Sequence, residues 1–350
     1  MRVGVIYQVD GLGRSSAEQL LGVRLAAEHL RDESDGPGRE LELVEHKLPG
    51  DGASLAAGLT ERVRSERWDA VLGILPVPLS AEAAQWSEVN GVLYATANNN
   101  PRVGGGRRCV FYIGVPSEVT AGASMTYLRD ERGAARVAVL HTPGEFQVHA
   151  AECMVVAAGR LGIDATAIGA GLAPVRDAEL VREIRAYRAD AVCVMGSELD
   201  RIVELVPSLG DGGVPVLLSR GMLCREFAER CGAAAEGFDF IDVYLRTDEA
   251  LNEEHALMER VARADEKLVV TASHGFGWDC LKLLVEALVH APEGGGEAAA
   301  YLESVDAISG ATGMLAFDAT DHNGRWRHDP TTVARLTDGR FVPVAKLARR

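Results

Sequence analysis

Short apolar runs alternate with amphipathic stretches along most of the chain. The predicted strands at 2–8 and 70–74 show no alternation of apolar and polar positions, which is typical of parallel strands covered on both faces. Between such runs, apolar residues recur every three or four positions, as at Leu20, Val23 and Ala27, which predicts helices with one buried face. Strands and helices in alternation predict an α/β fold with parallel sheets.

The alternation forms two series, which a break at 114–117 separates. The first series has predicted strands at 2–8, 41–45, 70–74, 92–94 and 109–113. The second series has predicted strands at 136–140, 163–168, 190–195, 214–218 and 237–243. After residue 248 the pattern is helical, and Asp338-Gly339 then predicts a hairpin. We therefore expect two doubly wound parallel-sheet lobes, with chain crossings near 116, 245 and 320 and a C-terminal part that both lobes share.

The stretch 69–101 carries the clearest signals for a site. Ser80 is expected to cap the helix that follows strand 70–74, and Asn90-Gly91 is expected to end that helix. Loops that leave the carboxyl ends of strands line the ligand crevice of a doubly wound sheet. The loops at 75–80 and 95–101 therefore mark the expected site.

Composition narrows the class of protein. The chain has 350 residues and a formal net charge of −15, which argues against nucleic acid or an anionic membrane as a partner. It has no apolar run long enough to insert into a membrane. The six cysteines favour free thiols in a reducing compartment, and a strand follows Met1 directly, so we expect a cytoplasmic location. The alternative is an extracytoplasmic protein from which a signal peptide was removed.

No catalytic motif is present. The loop Gly11–Ser16 lacks the third glycine of a dinucleotide fingerprint, which favours contact with some other polar ligand through backbone N–H groups. The group Asp318, Asp321, His322 and Asp329 fits no zinc or calcium spacing and is expected to be a turn. For four further residues the sequence leaves two roles open, a catalytic or cleft role and a structural role: His141, His274, Asp279 and Cys280. We therefore expect no enzyme activity, no cofactor and no metal.

Several segments, in order, resemble one known family. The chain is similar to the type I periplasmic-binding-protein fold, most closely to the branched-chain amino acid and amide group of solute-binding proteins. The resemblance rests on the loop after the first strand and on segments 69–93, 111–117, 136–146, 190–198, 215–221, 232–238 and 310–318. It implies two lobes joined by a three-strand hinge, an N-terminal lobe of 1–116 plus 246–319, and a C-terminal lobe of 117–245 plus 320–350.

The departures from the family pattern concern the ligand. Val77 stands where the amino acid binders offer a serine, and Arg220 stands where they offer an acidic residue for the ligand ammonium. An arginine there would favour a carboxylate, sulfonate or phosphate. Alternatively, Arg220 pairs with Glu198 and touches no ligand. Trp278 is expected either to wall the cleft or to pack in the core.

The resemblance implies that the chain binds a small polar metabolite without catalysis in an interlobe cleft that closes by hinge motion. The ligand-binding residues would be Leu12, Val77, Ser80, Asn98, Asn100, Phe146, Gln147, Glu198, Arg220 and Trp278. The partner would be a membrane transporter or a regulatory protein, and the chain could form a homodimer. The alternatives are a cytoplasmic sensor of the amide-responsive type and an enzyme built on the same cleft.

Overall fold

The structure, a computed structural model, forms two compact units. It describes residues 1–8, 14–32, 37–48, 55–171, 177–196, 198–242, 252–264, 270–292, 294–324 and 331–347. Unit 1 comprises Met1–Pro116, Asp248–Glu266 and Ala272–Asp329, and unit 2 comprises Ser117–Thr247, Lys267–Thr271 and Pro330–Arg350. Each unit is an α/β structure with its own sheet, as the alternating pattern predicts. No helix among the described residues is both long and apolar enough to cross a membrane.

Unit 1 is built on a parallel sheet of five strands in the order β2-β1-β3-β4-β5. Its strands are β1 Arg2–Tyr7, β2 Glu42–Lys47, β3 Ala70–Ile74, β4 Leu93–Thr96 and β5 Val110–Tyr112, with the hairpin β11 Ile308–Gly310 and β12 Gly313–Leu315. Its helices are α1 Arg14–Asp32, α2 Leu55–Glu66, α3 Val77–Asn90, α4 Pro101–Gly104, α10 Asn252–Ala264, α11 Ala272–His290 and α12 Gly295–Ser304.

Unit 2 is built on a sheet of seven strands in the order β14-β13-β10-β9-β8-β6-β7. Its strands are β6 Arg136–His141, β7 Asp164–Gly169, β8 Ala191–Met195, β9 Val216–Ser219, β10 Asp239–Asp242, β13 Thr331–Thr337 and β14 Arg340–Leu347. Its helices are α5 Ser117–Asp130, α6 Glu145–Arg160, α7 Asp177–Tyr187, α8 Leu199–Gly210 and α9 Arg225–Cys231. The first five strands are parallel, whereas β13 and β14 form the antiparallel hairpin that Asp338-Gly339 predicts.

The cores explain why these segments are strands and helices. Every residue of β3 and β8 is buried, which confirms that the apolar runs without alternation are covered on both faces. Helix α11 is buried on nearly all sides and packs closely against α1. The contact needs glycine, because a Cβ atom on Gly22 would lie 1.9 Å from His274 O and one on Gly277 would lie 1.9 Å from Gln19 O.

Two expected boundaries differ in the structure. Helix α3 begins at Val77, with Pro76 at its N-cap and Pro78 in its first turn, so the expected cap at Ser80 is wrong. The helix ends as predicted at Gly91, which adopts the left-handed conformation. Residues 320–324 are expected in the second lobe but belong to unit 1, where Tyr112 N donates to His322 O at 3.1 Å. The crossing expected near 245 lies outside the described residues, and the three-strand hinge stays a prediction.

Candidate functional site

The loop after β4 carries three consecutive asparagines at the carboxyl edge of the unit 1 sheet. Thr96 starts the loop, since its hydroxyl donates to Gly73 O at 2.8 Å and accepts from Asn98 N at 3.2 Å. The side-chain oxygen of Asn98 then accepts from Asn100 N at 3.1 Å, and that of Asn100 accepts from Arg102 N at 3.0 Å and caps α4. Asn99 donates through its side-chain amide to Val115 O. The loop is thus held by its own side chains.

This network fixes the direction of two amide groups. A backbone N–H can only donate, so the oxygens of Asn98 and Asn100 must face the loop and their NH2 groups must face away. Within the part of the chain that the structure describes, neither NH2 group donates a hydrogen bond. Both side chains are half-buried. The loop therefore presents hydrogen-bond donors and suits a ligand that is rich in acceptors.

The loop after β3 places its two expected ligand residues differently. Val77, the first residue of α3, is partly exposed. Ser80 lies one turn further along and is completely buried, with its hydroxyl 3.0 Å from the hydroxyl of Tyr94. Burial also raises the pKa of Tyr94, so this pair is neutral and belongs to the core. The physical reason is the early helix start, which carries Ser80 away from the cap position and into the interior.

Three adjacent strands of the unit 2 sheet end in polar residues. Thr142 follows β6, Glu198 follows β8 and precedes α8, and Arg220 follows β9 in a short 3-10 turn, Arg220–Met222. The Thr142 hydroxyl donates to Glu198 Oε2 at 2.5 Å. The Ser219 hydroxyl donates to Gly196 O at 2.8 Å and ties the ends of β8 and β9 together. A cation, a carboxylate and two hydroxyls thus gather at one edge of this sheet, and the pairing of Glu198 with Arg220 stays a prediction.

The first turn of α6 adds an apolar surface to the same edge. Phe146 is 44% exposed, which is unusual for a phenylalanine and leaves its ring available for contact. Gln147 is partly buried and lies over the backbone of Gly144, where a Cβ atom would be 2.1 Å from Gln147 Oε1. His141 ends β6, and its Nδ1 lies 3.3 Å from Thr142 O.

Trp278 and its neighbours on α11 belong to the core of unit 1. Trp278 is 1% exposed, and its ring lies 5.0 Å from that of His29, so of the two expected roles the structure supports core packing. Asp279 is fully buried and accepts from Ala311 N and Thr312 N at 2.5 and 3.1 Å, so it fixes the hairpin β11–β12. His274 and Cys280 are also buried. Their contacts support structural roles for Trp278 and Asp279.

Three members of the acidic group near residue 320, Asp318, Asp321 and His322, lie in a turn, and Asp329 lies outside the described residues. The carboxylate of Asp318 accepts from Thr320 N and Asp321 N, while His322 contacts Val110 O and Glu303. Of the residues expected at the site, Leu12 lies outside the described residues, and so does the part of the predicted ligand loop at 11–13. Thr142 and Asn99 were not foreseen. Their signal was present in the sequence, because Thr142 lies two residues after the predicted strand 136–140 and Asn99 lies between two chosen asparagines.

The chain was compared with models of protein families and with curated protein sequences. A sequence model of the family described as periplasmic binding protein matches residues 1–340. A search of curated protein sequences gives no match.

Solved structures align with nearly the whole chain. A leucine binding protein, LivK, from Thermotoga maritima shares 19% identity with a TM-score of 0.82, over 99% of this chain and 98% of its own. The substrate binding protein LivJ of Streptococcus pneumoniae, in complex with isoleucine, shares 18% identity with a TM-score of 0.79, over 99% of both chains. A solute binding protein of an ABC transporter from R. palustris, in complex with benzoate, shares 15% identity with a TM-score of 0.77, over 99% of this chain and 95% of its own.

Proposed function

The chain belongs to the periplasmic binding protein family, and from that premise we propose that it binds a small, acceptor-rich polar metabolite without transforming it. The observation that carries the proposal is the loop after β4, where Asn98 and Asn100 present NH2 donors and their oxygens are occupied. The ligand would carry a carboxylate or a primary amide, whose oxygens accept from these groups.

The second set of contacts would come from unit 2. We propose that Arg220 binds an anionic group of the ligand, because guanidinium is the side chain best matched to a carboxylate. Thr142 and Glu198 would orient the ligand, and the exposed ring of Phe146 would cover its apolar part. One ligand molecule would contact both sets of loops, and its binding would close the hinge.

The specificity would differ from that of the amino acid binders among the structural neighbours. A zwitterion such as leucine has an ammonium group, which Arg220 would repel, and Val77 offers no hydroxyl to its carboxylate. We therefore propose that organic acids and amides bind and that leucine, isoleucine and valine do not. Benzoate, the ligand of one neighbour, is an anion of the proposed class.

Calorimetry on matched variants tests this assignment. A thermal-shift panel of amino acids, amides and organic acids first identifies a ligand, and Arg220→Ala is then compared with Arg225→Ala. Arg225 is an exposed arginine in the same unit that pairs with Glu229, so it serves as the control. Arg220→Ala should weaken the binding of an anionic ligand at least tenfold, about 1.4 kcal/mol, and should leave the binding of a neutral amide unchanged. The control Arg225→Ala should bind both ligands with the affinity of the natural chain. Tight leucine binding by the natural chain, or equal affinity in Arg220→Ala, would contradict the assignment.

The biological role of ligand binding is a separate proposal. The neighbours named as transporter substrate or solute binding proteins favour delivery of the solute to a membrane transporter. Cell fractionation should then find the chain outside the cytoplasm, and cells without it should take up the identified ligand more slowly. A cytoplasmic location together with a co-purifying regulatory protein would favour the sensor instead. Chemical change of the ligand during incubation, measured by mass spectrometry, would favour an enzyme.

A further inference from the structure

A second group of side chains lies in unit 2 and includes none of the residues assigned to the solute. Glu118 in the first turn of α5 meets His149 and Cys153 on α6, and one ligand atom from each lies within 4.8 Å of the other two. His149 Nε2 is 3.6 Å from Cys153 Sγ and 3.9 Å from a carboxylate oxygen of Glu118. The three atoms form a small triangle.

The helices hold this triangle in place. His149 and Cys153 are four residues apart on α6, so they lie on the same face one turn from each other. The buried faces of α5 and α6 share one core. Ala121 and Met125 of α5 belong to the same apolar cluster as Ala150 and Met154 of α6. The positions of the side chains therefore follow from core packing. Glu118 and His149 are exposed and Cys153 is partly buried, so an ion can reach the group from solvent.

We propose that Glu118, His149 and Cys153 bind a zinc ion. A thiolate, an imidazole and a carboxylate are all zinc ligands, whereas magnesium and calcium take oxygen ligands only. Ligands bound to one zinc ion at tetrahedral angles are about 3.5 Å apart, close to the distances in the triangle. One carboxylate and one thiolate balance the two charges of the ion. The fourth position is left to water.

A reactive thiol is the competing explanation for Cys153. Burial, followed by the charges of Glu118 and Glu152, raises the pKa of Cys153 to about 11. A nucleophilic or redox cysteine has the opposite property, a lowered pKa.

The ion would link two helices of one unit. Glu118 is the second residue of α5, and His149 is in the second turn of α6, so zinc would join the start of α5 to α6. This role does not depend on the solute, because none of the three residues is assigned to it.

Metal binding by the full chain tests the proposal. The tag-free protein, reduced and stripped with a chelator, is titrated with zinc alone and with cobalt(II) alone. We expect one ion per chain by equilibrium dialysis and a sulfur-to-cobalt charge-transfer band in the near ultraviolet. Cys153→Ser should abolish this band, and Glu118→Gln and His149→Gln should each lower zinc affinity at least tenfold.

Cys231→Ser is the matched control. Cys231 is also a partly buried helical cysteine whose pKa burial raises to about 11. It should retain the band and the affinity of the natural chain. Less than one ion per chain, or a band that survives in Cys153→Ser, would overturn the proposal. Glu118→Gln changes only an exposed residue, so a loss of zinc in a chain with unchanged circular dichroism separates ligand loss from misfolding.

Discussion

His274 is the titratable residue that most clearly couples folding to pH. It is 1% exposed, and burial, followed by the charge of Arg14, lowers its pKa from 6.5 to about 4. The unfolded chain therefore takes up a proton first as the pH falls. Stability that is complete above pH 6.5 is lost progressively towards pH 4.

A denaturation series measures this coupling. Between pH 6.5 and pH 5, proton uptake by His274 in the unfolded chain should lower the free energy of unfolding by about 2 kcal/mol. His274→Gln has no proton to gain and should lose that part of the pH dependence in urea unfolding. His290→Gln, which changes an exposed histidine at the end of the same helix, should behave like the natural chain. An unchanged slope in His274→Gln would show that this histidine takes up its proton over the same pH range in the folded and the unfolded chain.

The sequence identified candidate residues better than it identified their surroundings. Asn98 and Asn100 were found because a polar run follows a predicted strand, and the structure shows the hydrogen bonds that orient them. Ser80 was misjudged and the role of Trp278 was left open for one physical reason. Exposure of a side chain depends on the rotation of its helix against neighbours that are distant in sequence, here Tyr94 for Ser80 and His29 for Trp278.

At the scale of elements, the contact of α1 with α11 is the closest helix packing described above. Gly22→Ala or Gly277→Ala would place a methyl group against the backbone of the facing helix, which cannot move aside. Each change should lower the free energy of unfolding by about 3 kcal/mol. Gly58→Ala on α2 is the control, since a Cβ atom there meets nothing within 4 Å. It should stabilise the chain by about 0.5–1 kcal/mol. Equal effects of the three changes in urea unfolding would show that the two helices do not meet through these glycines.

Elements with a continuous apolar run followed from the sequence, including the three-residue strand β5. Apolar runs predicted β3 and β8 to within a residue, because a strand covered on both faces leaves a continuous pattern. Helix α4 and the hairpin β11–β12 have no such pattern. Helix α4 depends on a local cap, which Asn100 makes to Arg102 N, and the hairpin depends on the buried carboxylate of Asp279, which only the folded chain brings into place.

At the scale of the whole molecule, binding should change both stability and size. A ligand that binds only the folded chain stabilises it by about 2.7 kcal/mol at a hundredfold excess over its dissociation constant. We therefore expect a higher unfolding temperature and, if binding closes the hinge, a smaller radius of gyration in solution scattering. A tight ligand that leaves the radius unchanged would contradict hinge closure but not binding. Arg220→Ala, titrated with the same anion at the same concentration, should retain only about 1.4 kcal/mol of this stabilisation if its affinity is tenfold lower.

The division of the chain into interleaved segments has a consequence for biosynthesis. Unit 1 needs residues up to 324, and the sheet of unit 2 needs β13 and β14, so neither unit is complete while these residues are still inside the ribosome. Until β13 arrives, β10 is an open strand edge, and its buried Asp239 lacks the bond from Arg335. Folding of both units must therefore finish after nearly the whole chain has been made. A messenger truncated before residue 331 would produce a chain with an exposed apolar edge, which is prone to aggregation and attractive to chaperones.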